Sequence, residues 1–271
     1  MKNFIYEKIP RSRIATFDIF SVGLNKHHII ALLEFDVTES RVKLHEIRRT
    51  GLNISFNAWI IKVIGTVLQK HPEASAYLYG KNKLMIFNDI NISILVEKNI
   101  NGKRVPIPVV IESTNMKTAV EIGEIIENAK AMKLSEDEIV INKKLDFSER
   151  VYYYMPGFLR RAVWRFMLRN PKIAYKKMGN AVVTSVGMMG RINGWFIQRS
   201  VHPVSFGIGS VLKKAVVVDN EIRIREILNM TILIDHDVID GAPMVRLLNE
   251  LTKSIESGEF INSEKTITIT N

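Results

Sequence analysis

Near the carboxyl end, Asp235-His236-Asp237-Val238-Ile239-Asp240-Gly241-Ala242 sets a histidine four residues ahead of an aspartate-glycine pair. An imidazole can take up and return a proton near neutral pH, so His236 is the candidate general base. A β-branched run, Ile232 to Ile234, leads into it and an amphipathic stretch follows from Pro243, which puts the histidine where a strand hands over to a helix. Each residue also has a purely structural use there. Asp240 would serve as the N-cap of the last helix with Pro243 in its first turn, and His236 as a satisfied turn histidine. The chain has no cysteine, which excludes a disulfide framework, a thiolate metal site and a cysteine nucleophile. Any nucleophile is therefore of another type or arrives with the substrate. His27 and His28 are adjacent, which sends them to opposite faces of a strand, and no spaced carboxylate completes a ligand set; no metal is expected.

The surrounding pattern predicts strands over residues 28–37, 83–111, 181–186, 204–208, 215–218 and 230–234, where β-branched runs are separated by Gly, Asp and Asn. Helices are predicted near 38–49, 55–70, 119–132 and 243–257. The second of these is apolar around most of its circumference, from Ala58 to Leu68, and so reads as a buried core helix that Pro72 stops. Trp195 and Phe196, between strands, read as core. Strands and helices mix without regular βαβ alternation or internal repeat, and the 271 residues, 46% of them hydrophobic, suffice for one α+β domain spanning residues 1–271. No GxxxxGK[ST] or GxGxxG loop occurs, which disfavours nucleotide-phosphate chemistry. The apolar runs are too short to span a membrane and the amino end lacks a secretory pattern, so a cytoplasmic location is expected.

Formal net charge is +10, but it is not evenly spread. Residues 151–178 hold Arg160, Arg161, Arg165, Arg169, Lys172, Lys176 and Lys177 and no acid. The excess belongs to one local element, so nucleic acid is not expected as a partner. Within it Leu159, Ala162, Val163, Phe166 and Met167 form a helical stripe. Two readings stand: an amphipathic helix packed on its own domain with a solvated basic face, or one that touches an anionic membrane or an acidic carrier.

Taken together, residues 54–130 and 179–259 resemble the catalytic domain of dihydrolipoamide acyltransferases, the core components of 2-oxo acid dehydrogenase complexes, and more distantly chloramphenicol acetyltransferase. That family's signature Asp-His-Arg-x-x-Asp-Gly-Ala stands here as Asp235 to Ala242, with Asp237 in the arginine's place. Val105-Pro106-Ile107-Pro108-Val109-Val110 is similar to its Val-Val-Pro-Val strand, Phe35 to Glu39 to its first strand and turn, and Arg11 to Ala15 to its Arg-x-x-Ile-Ala opening. The resemblance implies a chloramphenicol acetyltransferase-like two-layer fold, a mixed β-sheet covered by helices. It implies an acyltransferase moving an acyl group between coenzyme A and a dihydrolipoyl-type thiol or another acceptor, with His236 as base. The tetrahedral oxyanion would meet a strand hydroxyl at Thr184, with Ser185 as fallback. Asp240 would organise the loop by pairing with Arg11, or less well Arg13, beside Gly241. The family places this site across the threefold interface of a homotrimer.

Two departures accompany the resemblance. The family's lipoyl and subunit-binding domains are not expected here, because the catalytic pattern begins almost at residue 1, so a lipoyl group would act only in trans, on a separate lipoyl or acyl-carrier domain. The basic segment, about 141–178, is an insertion. The competing reading of the whole chain is a catalytically inactive trimeric scaffold or regulatory paralogue that acts by binding.

Overall fold

A computed structural model describes residues 4–7, 9, 12–100, 103–132, 147–187, 190 and 192–261. Helix α1 (Ser12–Gly23) leads into strand β1 (His28–Asp36), followed by α2 (Thr38–Arg49) and α3 (Phe56–Lys70). A short hairpin, β2 (Tyr77–Tyr79) and β3 (Lys83–Met85), precedes the antiparallel pair β4 (Ile92–Ile100) and β5 (Lys103–Ile111). Next come α4 (Ala119–Ala131), α5 (Phe147–Tyr154), α6 (Gly157–Arg169) and α7 (Pro171–Met178). Strands β6 (Ala181–Ser185), β7 (Val204–Val218) and β8 (Glu221–Asp235) lead to the last helix, α8 (Gly241–Ser257).

Six strands form one mixed sheet in the order β1-β8-β7-β6-β4-β5, parallel only where β6 meets β7 and β4. Its face toward the helices is dry: Phe35, Ile94, Val183, Phe206, Met230 and Ile232 pack with α3, α4 and α8 into one core. As its pattern predicts, α3 is buried nearly all round, with Ala58, Trp59, Ile60, Ile61, Val63, Ile64, Val67 and Leu68 shielded. Ser55 caps it by accepting from the Ala58 N–H, and it ends two residues before Pro72. A capping box of Thr118 and Glu121 starts α4. No helix among the described residues is long and apolar enough to cross a membrane.

Three expectations need correction. The separate strands expected at 204–208, 215–218 and 230–234 are parts of two 15-residue strands, β7 and β8. They join through Asp219 and Asn220, both at positive φ, which is the geometry of a tight two-residue hairpin. Beyond Val211 this ribbon leaves the core, so polar Lys213, Lys214 and Arg225 interrupt the apolar pattern without ending the strands. Trp195 and Phe196 are not core. They are 37% and 42% exposed, on an irregular segment lying over the sheet face away from the helices, where the Trp195 indole N–H donates to the Leu33 carbonyl at 3.1 Å. Finally, of the two readings of the basic helix, the one that packs its stripe on the domain is not met: no residue of α6 is buried, and Leu159, Val163 and Phe166 are exposed.

Strand β6 ends where the backbone leaves no room for a side chain. A Cβ on Gly187 would stand 1.9 Å from the Gly209 carbonyl oxygen, beside the register shift of β7 between Ile208 and Val211. This contact seats the strand that carries Thr184. Gly187→Ala forces two backbones apart, and a loss of about 3 kcal/mol in urea unfolding, with the slope unchanged, is the expected result.

Candidate active site

Strand β8 is paired on both edges, with β1 and with β7, so its end is fixed: Asp235 lies opposite His28. Asp235 is fully buried. Its Oδ2 accepts from Lys26 Nζ at 2.5 Å, its N–H donates to the Pro203 carbonyl at 2.9 Å, and its Oδ1 accepts from the Asp237 N–H at 3.3 Å. The Asp235 carbonyl accepts from Val238 and Ile239, closing the turn that presents His236. The His236 N–H donates to the His27 carbonyl at 3.0 Å. Its backbone is thus held on both sides while its ring points to solvent. The imidazole makes no hydrogen bond to any described residue, its own carbonyl included.

Asp237, in the place of the family's arginine, has a histidine partner: both carboxylate oxygens accept from His27 Nδ1, at 2.9 and 3.0 Å. The hydrogen bond and the charge of Asp237 raise the His27 pKa above its ordinary value. Asp240 occupies the N-cap position of α8 but makes no side-chain cap bond, and it is exposed. Gly241, in the first turn, has open space where a Cβ would stand, so no contact among the described residues demands glycine there. Arg11 lies outside the described residues. Arg13 is exposed at the start of α1.

Thr184 lies on β6, half-buried, on the sheet face away from the helices, with its hydroxyl donating to the Phe206 carbonyl at 3.4 Å. Ser185 follows it, and strand alternation turns its side chain to the opposite face, shared with core residue Val183. The two hydroxyls therefore serve different sides of the sheet. Thr184 is level with Gly207 and through it with Thr231, two strands away and five residues short of His236. With strands ~4.8 Å apart and ~3.3 Å per residue, Thr184 and His236 of one chain are roughly 15–20 Å apart. A single tetrahedral centre cannot touch both.

Lys26 and His202 are the supporting residues that the sequence did not disclose. Lys26 precedes β1 and becomes relevant only because β1 pairs antiparallel with β8. His202 is buried beneath the site: its Nε2–H donates to the Met178 carbonyl at 3.1 Å, its Nδ1 lies 3.3 Å from the Ser200 hydroxyl, and its carbonyl accepts from His28 Nε2 at 3.0 Å. Burial, opposed by the Met178 contact, pushes its pKa down from 6.5 to about 4. Among the described residues no group of three or more His, Asp or Glu side chains could hold a metal.

Two predictions follow from this geometry. Lys26→Met leaves the buried Asp235 carboxylate without its cation, and a loss of about 3 kcal/mol is expected in denaturant unfolding. At His202 the unfolded chain gains a proton as pH drops below 6.5 while the folded chain stays neutral until about 4. Stability is therefore intact above pH 6.5 and is lost on acidification across that window, by up to about 3 kcal/mol. His202→Gln should flatten the fall in Tm between pH 7 and pH 4.5 relative to the parent.

The model of the 2-oxoacid dehydrogenases acyltransferase (catalytic domain) family matches residues 24–140 and 168–262. The dihydrolipoyllysine-residue acetyltransferase component of the pyruvate dehydrogenase complex of Rickettsia felis is 26% identical over 208 residues, 75% of this chain and 40% of that protein. The corresponding Mycoplasma genitalium component is 25% identical over 245 residues, 86% of this chain and 54% of its own length. The chain thus spans about half the length, or less, of these relatives. Among solved structures, the fold is similar to a probable dihydrolipoamide acetyltransferase from Listeria monocytogenes, with TM-score 0.68 and 20% identity over 95% of this chain and 97% of that one. It is likewise similar to the cubic core of the pyruvate dehydrogenase multienzyme complex, with TM-score 0.65 and 16% identity over 96% and 95%. With the family model covering most of the sequence, this chain belongs to the 2-oxoacid dehydrogenase acyltransferase catalytic-domain family.

Proposed function

We propose that the chain transfers an acyl group between coenzyme A and a dihydrolipoyl-type thiol, in a site completed by a second copy of itself. The observation that carries this reading is His236, presented to solvent by a turn whose backbone is tied to Asp235 and His27, at the signature position of an acyltransferase catalytic domain. A thiol with an ordinary pKa near 8.5 is a few per cent ionised at pH 7, so a positioned base raises the supply of thiolate. The imidazole takes the thiol proton, the sulfur attacks the thioester carbonyl, and a carbon–sulfur bond forms as the carbonyl becomes an oxyanion. Collapse breaks the original carbon–sulfur bond, and the departing thiolate takes the proton back from the imidazolium. The Thr184 hydroxyl donates to the oxyanion.

The separation of Thr184 and His236 supports a shared site, because the hydroxyl then comes from a neighbouring copy. The sheet face away from the helices offers an apolar surface for that neighbour: Ile30 and Leu32 on β1 and Ile192, Phe196 and Ile197 beside it are 42–53% exposed. A homotrimer is the assembly proposed, with the lipoyl group brought by a separate carrier domain.

The test uses acetyl-CoA with dihydrolipoamide. His236→Ala should lower kcat by about a thousandfold and Thr184→Val by about a hundredfold. Mixing the two inactive variants and reassembling them should restore activity at roughly a quarter of the sites, each pairing an intact histidine with an intact threonine from its neighbour. Equal rates for parent and His236→Ala would leave the inactive scaffold as the reading, and no recovery on mixing would refute the shared site.

A further inference from the structure

The insertion helix α6 differs from every other long helix of the fold: none of its residues is buried. The side that faces the domain is mixed, with Arg160, Arg161, Trp164, Met167 and Leu168 half-buried. Arg160 Nε donates to Asp18 of α1 at 2.6 Å, the Tyr152 hydroxyl donates to the same carboxylate at 2.9 Å, and the Trp164 indole N–H donates to that tyrosine. A separate apolar stripe faces out. Phe158 and Phe166 are each 64% exposed, with Leu159 and Val163 at 42% and 47%. At 100° per residue these four fall on one side of the helix, and Arg165 and Arg169 border them. Neither arginine has an ion pair among the described residues, nor do Lys172, Lys176 and Lys177 on the adjoining α7. The family model leaves out residues 141–167, which include most of α6.

We infer that α6 docks the protein on an anionic bilayer surface, its four apolar side chains entering the headgroup boundary and its flanking cations lying among the lipid phosphates. An exposed apolar stripe bordered by arginine is the arrangement an interfacial helix uses, because the long cationic side chains reach headgroups while the rings sit deeper. A second copy of the same face is disfavoured by charge: residues 151–178 carry seven cations and no acid, so self-pairing sets like charge against like. An acidic carrier domain would satisfy the arginines, but it would need a matching apolar patch at one fixed position. A bilayer supplies both everywhere. With one short helix the attachment is reversible, and it is independent of acyl transfer.

The experiment is cosedimentation of the full chain with phosphatidylcholine vesicles, with or without phosphatidylglycerol, at low and high salt. Binding is expected only with phosphatidylglycerol, and it should weaken as salt shortens the screening length. Arg165→Gln with Arg169→Gln should weaken it roughly 30-fold at low salt. Phe158→Ser with Phe166→Ser should weaken it at least about tenfold while leaving sedimentation of the free protein and acyl transfer unchanged. Arg160 is left alone because it fastens the helix. The proposal falls if the parent binds no phosphatidylglycerol vesicles at low salt, if either pair of substitutions leaves binding intact, or if an isolated lipoyl domain binds and vesicles do not. It falls equally if the phenylalanine pair dissociates the oligomer, which would make the stripe a subunit interface. Should that pair fail to fold, the arginine pair on the solvated flank carries the test.

Discussion

Everything around His236 depends on the double pairing of β8. A strand flanked by β1 and β7 along most of its length cannot slip, because a shift of one residue would turn Ile232 and Ile234 to the outer face and Asp235 into the core. The register therefore decides where the buried carboxylate ends up. Lys26 makes that placement tolerable, since a buried carboxylate without a cation is strongly disfavoured. The two ends of the arrangement come from distant parts of the chain, and only the antiparallel pairing of β1 with β8 joins them. His236 inherits its position from this frame rather than from contacts of its own ring.

Much of the frame was legible in the residues. The all-round apolar pattern of α3, the helix from Ala119 and the helix after Asp240 follow from local sequence, and the structure has all three. The long ribbon of β7 and β8 was not legible as such. Its outer half alternates polar and apolar residues because one side is wet, and Asp219-Asn220 was the available signal that the two halves form a hairpin. Lys26 and His202 were invisible for a different reason. Their importance depends on partners across the sheet, and a pairing register is a tertiary fact. The strand alternation that separates Thr184 from Ser185 needs only a β6 assignment, so it could have been drawn from the sequence once that strand was accepted.

The same contrast holds for the basic segment. Composition located it and periodicity made it a helix, yet neither revealed which side would face the domain. The deciding feature is Asp18, nearly fully buried, whose carboxylate gathers Arg160 and Tyr152. A buried acid demands donors, and Arg160 answers it, which turns the side of α6 that carries Arg160, Trp164, Met167 and Leu168 inward. Phe158, Leu159, Val163 and Phe166 are left outward as a result.

That polar clasp has a dynamic consequence. A helix held by packed apolar side chains opens only when much of the core opens with it, whereas α6 shares no buried side chain with the sheet. Helix α7 beside it is anchored differently, through buried Pro171 and Ala174 and the stacking of Tyr175 on Phe87 at 3.9 Å. The two adjoining helices are therefore fastened differently, α7 by buried side chains and α6 without any. Sub-global opening of α6 breaks the Asp18 contacts and the half-buried contacts of Trp164, Met167 and Leu168 but no fully buried side chain, so its amides belong toward the low end of the protein's opening free energies and those of β8 to the high end.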